Sequence, residues 1–123
     1  MNTSTTKPVR IEQWHISAVG LDPVVGSEQG KTRPCLIVSA TEINYLVHTV
    51  VILPITSRKE GRSVYPNDVF LPAKEGGLPN DSIILVHQIR TVDKRRLSRL
   101  YGSLSNNTII AQIFAALDFE LGR

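Results

Sequence analysis

Leu21-Asp22-Pro23-Val24-Val25-Gly26-Ser27-Glu28-Gln29-Gly30-Lys31-Thr32-Arg33-Pro34-Cys35-Leu36-Ile37-Val38 sets a long polar connection directly against an apolar run. Asp22 to Arg33 holds two glycines, a proline and several polar side chains, the composition of a turn-rich loop. Residues 34–40 read as a strand. Upstream, residues 13–21 (Gln-Trp-His-Ile-Ser-Ala-Val-Gly-Leu) alternate well enough to form another. Loops of this length inside small domains are uncommon and often functional, so the connection itself is the first candidate for a site.

Working outward, residues 47–55 are rich in Val and Ile and predict a further strand. Thr56 to Arg62 reads as a polar loop, Asp68 to Leu71 as a short strand, and Pro72 to Asn80 as a turn carrying Gly76-Gly77 and Pro79. Ser82 to Arg90 predicts the next strand, with Ser82, Ile84, Val86 and Gln88 on one face and Ile83, Leu85, His87 and Ile89 on the other. A short helical turn is expected around Lys94 to Leu100. Ser105 or Asn106 can cap a terminal helix in which Ile109, Ile110, Ile113, Phe114, Leu117 and Leu121 recur at helical spacing. Short strands closed by one amphipathic helix predict a mainly β or α+β fold, a twisted antiparallel sheet or partly closed barrel with the helix against it. Residues 1–12 are expected to form a flexible N-terminal tail and residues 13–123 a single domain.

Composition bounds the function. With 123 residues, 41% of them hydrophobic and 20% charged, the chain can bury one core; it is too short for two full domains and too apolar for a disordered protein. No apolar run approaches the ~20 residues of a membrane helix, and Met1 to Arg10 lacks the apolar segment of a secretory signal, so a cytoplasmic protein with no membrane partner is expected. The single cysteine, Cys35, cannot form an intrachain disulfide and lies in an apolar run, which favours a buried core residue over a nucleophile. The net charge of +3 permits nucleic acid as a partner. Arg90, Lys94, Arg95, Arg96 and Arg99 fall close together, and Lys31/Arg33 and Arg58/Lys59/Arg62 form smaller groups.

Cys/His clusters at metal-ligand spacing, HExxH, P-loop, GxGxxG and GxSxG motifs are all absent from the sequence, and His15, His48 and His87 stand singly; no metal and no cofactor is expected. The polar loop and the strand end Pro54-Ile55-Thr56-Ser57-Arg58 can bring an arginine, a carboxylate, hydroxyls and an amide together, a set suited to gripping a phosphodiester. Gly26 and Gly30 are read as positions allowing positive φ and close ligand approach.

The run Leu21 to Pro34, followed by Leu53-Pro54-Ile55-Thr56-Ser57 and by Asp81-Ser82-Ile83-Ile84-Leu85-Val86-His87-Gln88-Ile89-Arg90-Thr91-Val92-Asp93-Lys94, closely resembles the MazF/PemK (Kid) family of toxin endoribonucleases. The resemblance implies an SH3-like barrel with a C-terminal helix, a homodimer whose grooves hold single-stranded RNA, and a cognate antitoxin as inhibitor. It also implies metal-independent cleavage to a 2′,3′-cyclic phosphate and a 5′-hydroxyl. Carried over by residue, it assigns the chemistry to Arg33 and Thr56, with the loop acid at Glu28. The polar neighbours Ser27, Gln29, Lys31, Ser57, Gln88 and Arg90 are expected to hold substrate. Trp14 and His15 stand where the family usually has glycine and an acid, and His87 where many members carry Asp or Glu. The general base is therefore open between Glu28 and His87. Two other classes compatible with such a barrel are a CcdB-like gyrase-inhibiting toxin and a non-catalytic RNA-binding barrel.

Overall fold

The computed structural model describes residues 10–28, 30–58 and 65–123. Within them the chain forms β1 (His15–Gly20), β2 (Thr32–Ile37), α1 (Thr41–Leu46), β3 (Thr49–Ser57), β4 (Asp68–Leu71), β5 (Ser82–Leu85), β6 (Arg90–Asp93), β7 (Leu97–Ser103) and α2 (Asn107–Leu121). Single 3-10 turns occupy Glu75–Gly77, Val86–Gln88 and Lys94–Arg96. The seven described strands form one antiparallel sheet in the order β4-β5-β3-β2-β1-β7, with β6 also paired to β3.

The nine-residue β3 organises this arrangement. One edge pairs with β2 through Ile52, Leu53 and Pro54. The other pairs with β6 from Thr49 to Ile52 and then with β5 from Ile55 to Ser57. Pro54, which has no N–H to donate, falls where β3 changes partner. This change of partner explains why the expected continuous strand from Ser82 to Arg90 is broken. Ser82–Leu85 pairs with β3 and β4, Val86–Gln88 makes one tight turn, and Arg90 resumes against the other half of β3. The same pairing corrects the loop expected from Thr56: Thr56 and Ser57 remain in β3 because β5 continues opposite them.

Alternation along β2 and β3 divides the core in two. Leu36, Leu53 and Ile55 point into a cluster with Ile16, Ile84, Val86 and the α2 residues Ile109, Ile113 and Ala116. Cys35, Ile37, Val50 and Ile52 point the other way, into a cluster with Val19, Leu21 and Val92. Strands covered on both faces carry unbroken apolar runs, which is how these two read in the sequence. Burial pushes the Cys35 thiol up to about 12, outweighing the opposing pull of Arg90 and Arg33, so it is an inert core group.

Two elements depart from expectation near the C-terminus. The helical turn expected over Lys94–Leu100 ends at Arg96, and Leu97 starts β7, whose pairing with β1 shifts register twice. These irregularities remove the period of two by which a strand is recognised. In α2, capped by the Asn106 side chain accepting from Ile109 N at 3.1 Å, Ile109 and Ile113 are buried while Leu121 is exposed. Phe114 is half-exposed, its ring set edge-on against Trp14 at 5.5 Å. The last turn of α2 thus carries an apolar residue with no core beneath it.

Closure is made by backbone. The turn at Gly76-Gly77, with φ of +69° and +90°, abuts β7: a Cβ on Gly77 would collide with the Tyr101 carbonyl, and one on Gly102 would lie 2.6 Å from Gly76 O. The part of the expected tail that is described is anchored. Ile11 packs on the second core cluster, and the buried Asn44 of α1 donates to Ile11 O at 3.2 Å. Trp14 has φ +74° in the left-handed region that favours glycine; its N–H donates to Ile37 O at 2.7 Å.

Candidate functional site

The β2–β3 ladder pairs Cys35 with Pro54 and Leu36 with Leu53. The ladder ends at the first of these pairs, and two residues beyond it on each strand, on the face of Cys35 and Pro54, stand Arg33 and Thr56. Both side chains line one cleft of about 200 Å³, together with Ser57 and with Pro79 and Asn80 from the turn before β5. Thr56 is almost fully buried there, and Arg33 is partly buried with its Nε donating to Gly30 O at 3.2 Å.

Along the same face of β3, Pro54 borders a second cleft of about 330 Å³, lined by Glu28, His87, Gln88, Ile89 and Arg90. Pro54 and Thr56 are two residues apart, roughly 7 Å along a strand. The positive charges of Arg90 and Arg33, one from each cleft, both pull against the rise that burial imposes on the Cys35 thiol. Of the residues singled out in the sequence, the fold thus brings Arg33, Thr56 and Ser57 into one cleft and Glu28, His87, Gln88 and Arg90 into its neighbour. Ser27 and Lys31 are exposed on the loop and line neither cleft, and Gln29 lies outside the described residues.

The loop between β1 and β2 is shaped by its own polar groups. Asp22 Oδ1 accepts from Lys31 N at 2.8 Å, and Glu28 Oε1 accepts from Val25 N at 2.7 Å. Gly26 has φ +60°, as expected, but the second left-handed residue is Lys31 at +62°, not Gly30. Gly30 is required for space, since a Cβ there would lie 2.7 Å from Asp22 Oδ1.

The basic run does not form one stripe. Arg90 Nη1 donates to Leu21 O at 3.2 Å, and Arg96 Nη1 to Gly20 O at 3.0 Å and Asp22 O at 2.5 Å, so two of its members hold the base of the loop. Arg95 pairs with Asp93 on an exposed turn and holds that carboxyl below its usual range, while Arg99 lies over the Tyr101 ring at 5.0 Å.

Asp68 is a site residue that the sequence did not single out. Its side chain is fully buried, with Oδ1 3.3 Å from His87 Nδ1. In sequence it is an acid opening a short strand after Pro66-Asn67, a pattern indistinguishable from ordinary turn chemistry. Asn80, in the other cleft, likewise reads only as a turn residue.

A fixed cation, a buried hydroxyl, an imidazole and a carboxylate along one face form an arrangement that can hold a phosphodiester and move a proton beside it. Comparison with known proteins identifies the family. Residues 12–119 match the family model described as PemK-like, MazF-like toxin of type II toxin-antitoxin system. The chain is 37% identical over 112 residues to Endoribonuclease MazF of Staphylococcus epidermidis, covering 91% of this chain and 92% of that one. It is 42% identical over 88 residues to Endoribonuclease EndoA of Bacillus subtilis (strain 168), covering 72% and 75%. The crystal structure of MazF from Deinococcus radiodurans superposes with a TM-score of 0.77 at 28% identity, over 94% of this chain and 100% of that one. With the antiparallel sheet and the C-terminal helix in place, a match over this much of its length establishes that the chain belongs to the PemK-like, MazF-like toxin family of type II toxin–antitoxin systems.

Proposed function

We propose that the protein is the toxin of a type II toxin–antitoxin pair and acts as a metal-independent, sequence-specific endoribonuclease on single-stranded RNA. The observation that carries this reading is that Arg33 and Thr56 line one cleft of a chain that matches the toxin family over residues 12–119. RNA supplies its own nucleophile, so the enzyme needs neither a serine nor a cysteine for the attack. The 2′-oxygen bonds to phosphorus, its proton passes to a base, and the P–O5′ bond breaks, leaving a 2′,3′-cyclic phosphate and, once the departing oxygen is protonated, a 5′-hydroxyl.

Arg33 suits the charge that develops on the non-bridging oxygens, because a guanidinium stays protonated and binds two oxygens at once. Thr56 holds a phosphate oxygen through Oγ, and Glu28 or His87 accepts the proton. Ser27, Gln29, Lys31, Ser57, Gln88 and Arg90 contact the flanking nucleotides. The protein works as a homodimer in the cytoplasm; among the described residues no helix is long and apolar enough to cross a membrane. Its cognate antitoxin presents an acidic, extended segment, which a cationic RNA groove attracts for the same reason that it attracts RNA. The gyrase-inhibiting and non-catalytic readings have no observation in their favour, since the named relatives are endoribonucleases.

The test is cleavage of a long RNA with its ends sequenced. Excess EDTA is expected to leave the rate intact, and a single 2′-deoxy substitution at the scissile nucleotide to abolish it. Cleavage of the deoxy substrate would refute the mechanism.

A further inference from the structure

Asp68 opens β4 beneath the second cleft, and its two carboxylate oxygens face different groups. Oδ2 accepts from Tyr65 N at 3.0 Å. Oδ1 faces His87 Nδ1 at 3.3 Å; both of these atoms are sealed from solvent, and neither makes a hydrogen bond at the present ring angle. A carboxylate oxygen can only accept. If Nδ1 carried a lone pair, two acceptors would face each other where water cannot enter. A proton on Nδ1, with a small rotation of the ring, satisfies both atoms at once.

The ring is about one-third exposed (32%) although Nδ1 is buried, so its open edge is the opposite one, which carries Nε2. That edge belongs to the cleft shared with Glu28 and Arg90, and Tyr65 packs edge-on against the imidazole at 5.8 Å. Among the described residues, Asp68 and Tyr65 on one side, with Glu28 and Arg90 lining the cleft, are the titratable and charged groups around the ring. Glu28 is the less available base, because its carboxylate is engaged with Val25 N inside its own loop.

We infer that Asp68 is a positioning residue that fixes His87 as the Nδ1–H tautomer, leaving Nε2 unprotonated toward the second cleft as the acceptor of the 2′-hydroxyl proton. The inference rests on the ribonuclease reading for the role of Nε2, but the tautomer stands on geometry alone. Asp68→Asn reverses it by a definite route. Tyr65 N–H takes the amide oxygen, the amide NH₂ then faces Nδ1, and His87 is driven to the Nε2–H form, which cannot accept.

Long-range ¹H–¹⁵N correlation spectra of the full-length protein report which ring nitrogen of His87 carries the proton. The unaltered protein is expected to show Nδ1–H, and Asp68→Asn to show Nε2–H. Single-turnover cleavage at saturating RNA is expected to slow by about 100-fold in Asp68→Asn, the lower end of the range for losing a positioned base, with little change in KM. In a His87→Leu background the same substitution should cost nothing further. An Nε2–H tautomer in the unaltered protein overturns the inference, and so does an undiminished loss in the His87→Leu background, which marks a purely structural role. If Asp68→Asn does not fold, the spectrum of the unaltered protein still decides the tautomer. If the unaltered protein shows Nδ1–H yet leaves RNA intact, the ribonuclease reading falls and only the orienting contact survives.

Discussion

The two clefts on the face of β3 are built by different means. Arg33, Thr56 and Ser57 sit on strands, so their spacing is set by the sheet, and all three line one cleft. Glu28, His87 and Arg90 come from a loop, a single 3-10 turn and the first residue of a strand, and each is placed by an individual side-chain contact: Glu28 with Val25 N, His87 against Asp68, Arg90 with Leu21 O. A site held by the sheet fails only when a functional group is removed. One assembled from separate side-chain contacts can also be disturbed from a distance.

The largest effects are therefore expected from the strand-held pair. Arg33→Ala and Thr56→Ala should each lower the cleavage rate by roughly 10² or more, the scale for removing one charge-stabilising contact, with thermal unfolding little changed. Arg33→Lys should recover little, because a point charge cannot replace the fork. If both alanine variants cleave at the parental rate, the ladder-built cleft is not the reaction centre.

Arg96 provides the intermediate test. It lines neither cleft but donates to Gly20 O and Asp22 O at the base of the loop that carries Glu28. Arg96→Ala should reduce kcat/KM by about 10-fold, on the order of 1.4 kcal/mol, mainly through KM. A loss as large as that of Arg33→Ala would place Arg96 in direct contact with the reacting phosphate instead.

Cys35, between the clefts, should matter least for rate and most for alkaline stability. Burial pushes its thiol up to about 12 in the folded state from an ordinary value of 9.0, so above pH 9 the unfolded chain holds fewer protons than the folded one. Stability from this group is complete below pH 9 and is lost as pH rises toward 12, by at most about 1.4 kcal/mol per pH unit. Cys35→Ala should keep the cleavage rate within about two-fold. Denaturant titrations between pH 8 and 11 should show a flatter alkaline decline for it; an unchanged decline would assign the effect to other groups.

How far the sequence carried depended on what fixed each element. Asp68 to Leu71, the cap at Asn106 and the buried Cys35 are local matters of alternation, side-chain chemistry and apolar context, and all three were legible. Leu97–Ser103 was not, because its bulged pairing with β1 erases the alternation. The break at Val86–Gln88 escaped as well, since it answers to the change of partner along β3, a fact about distant segments. The site divided along the same line. Arg33 and Thr56 stood out as polar groups at strand ends, whereas Asp68 acquires significance only from its position under His87, which no spacing in the sequence records.

The pairing of β3 with three later or earlier segments also bears on how the protein is made. Residues 33 and 56 leave the ribosome well before residues 82–93, which complete the other edge of β3 and supply His87 and Arg90. A nascent chain that has passed Thr56 holds the reactive pair with half of its supporting sheet unsynthesised, and long-range strand pairing is slow to form. The second edge of β3 and the second cleft are thus completed only after residues 82–93 have been made.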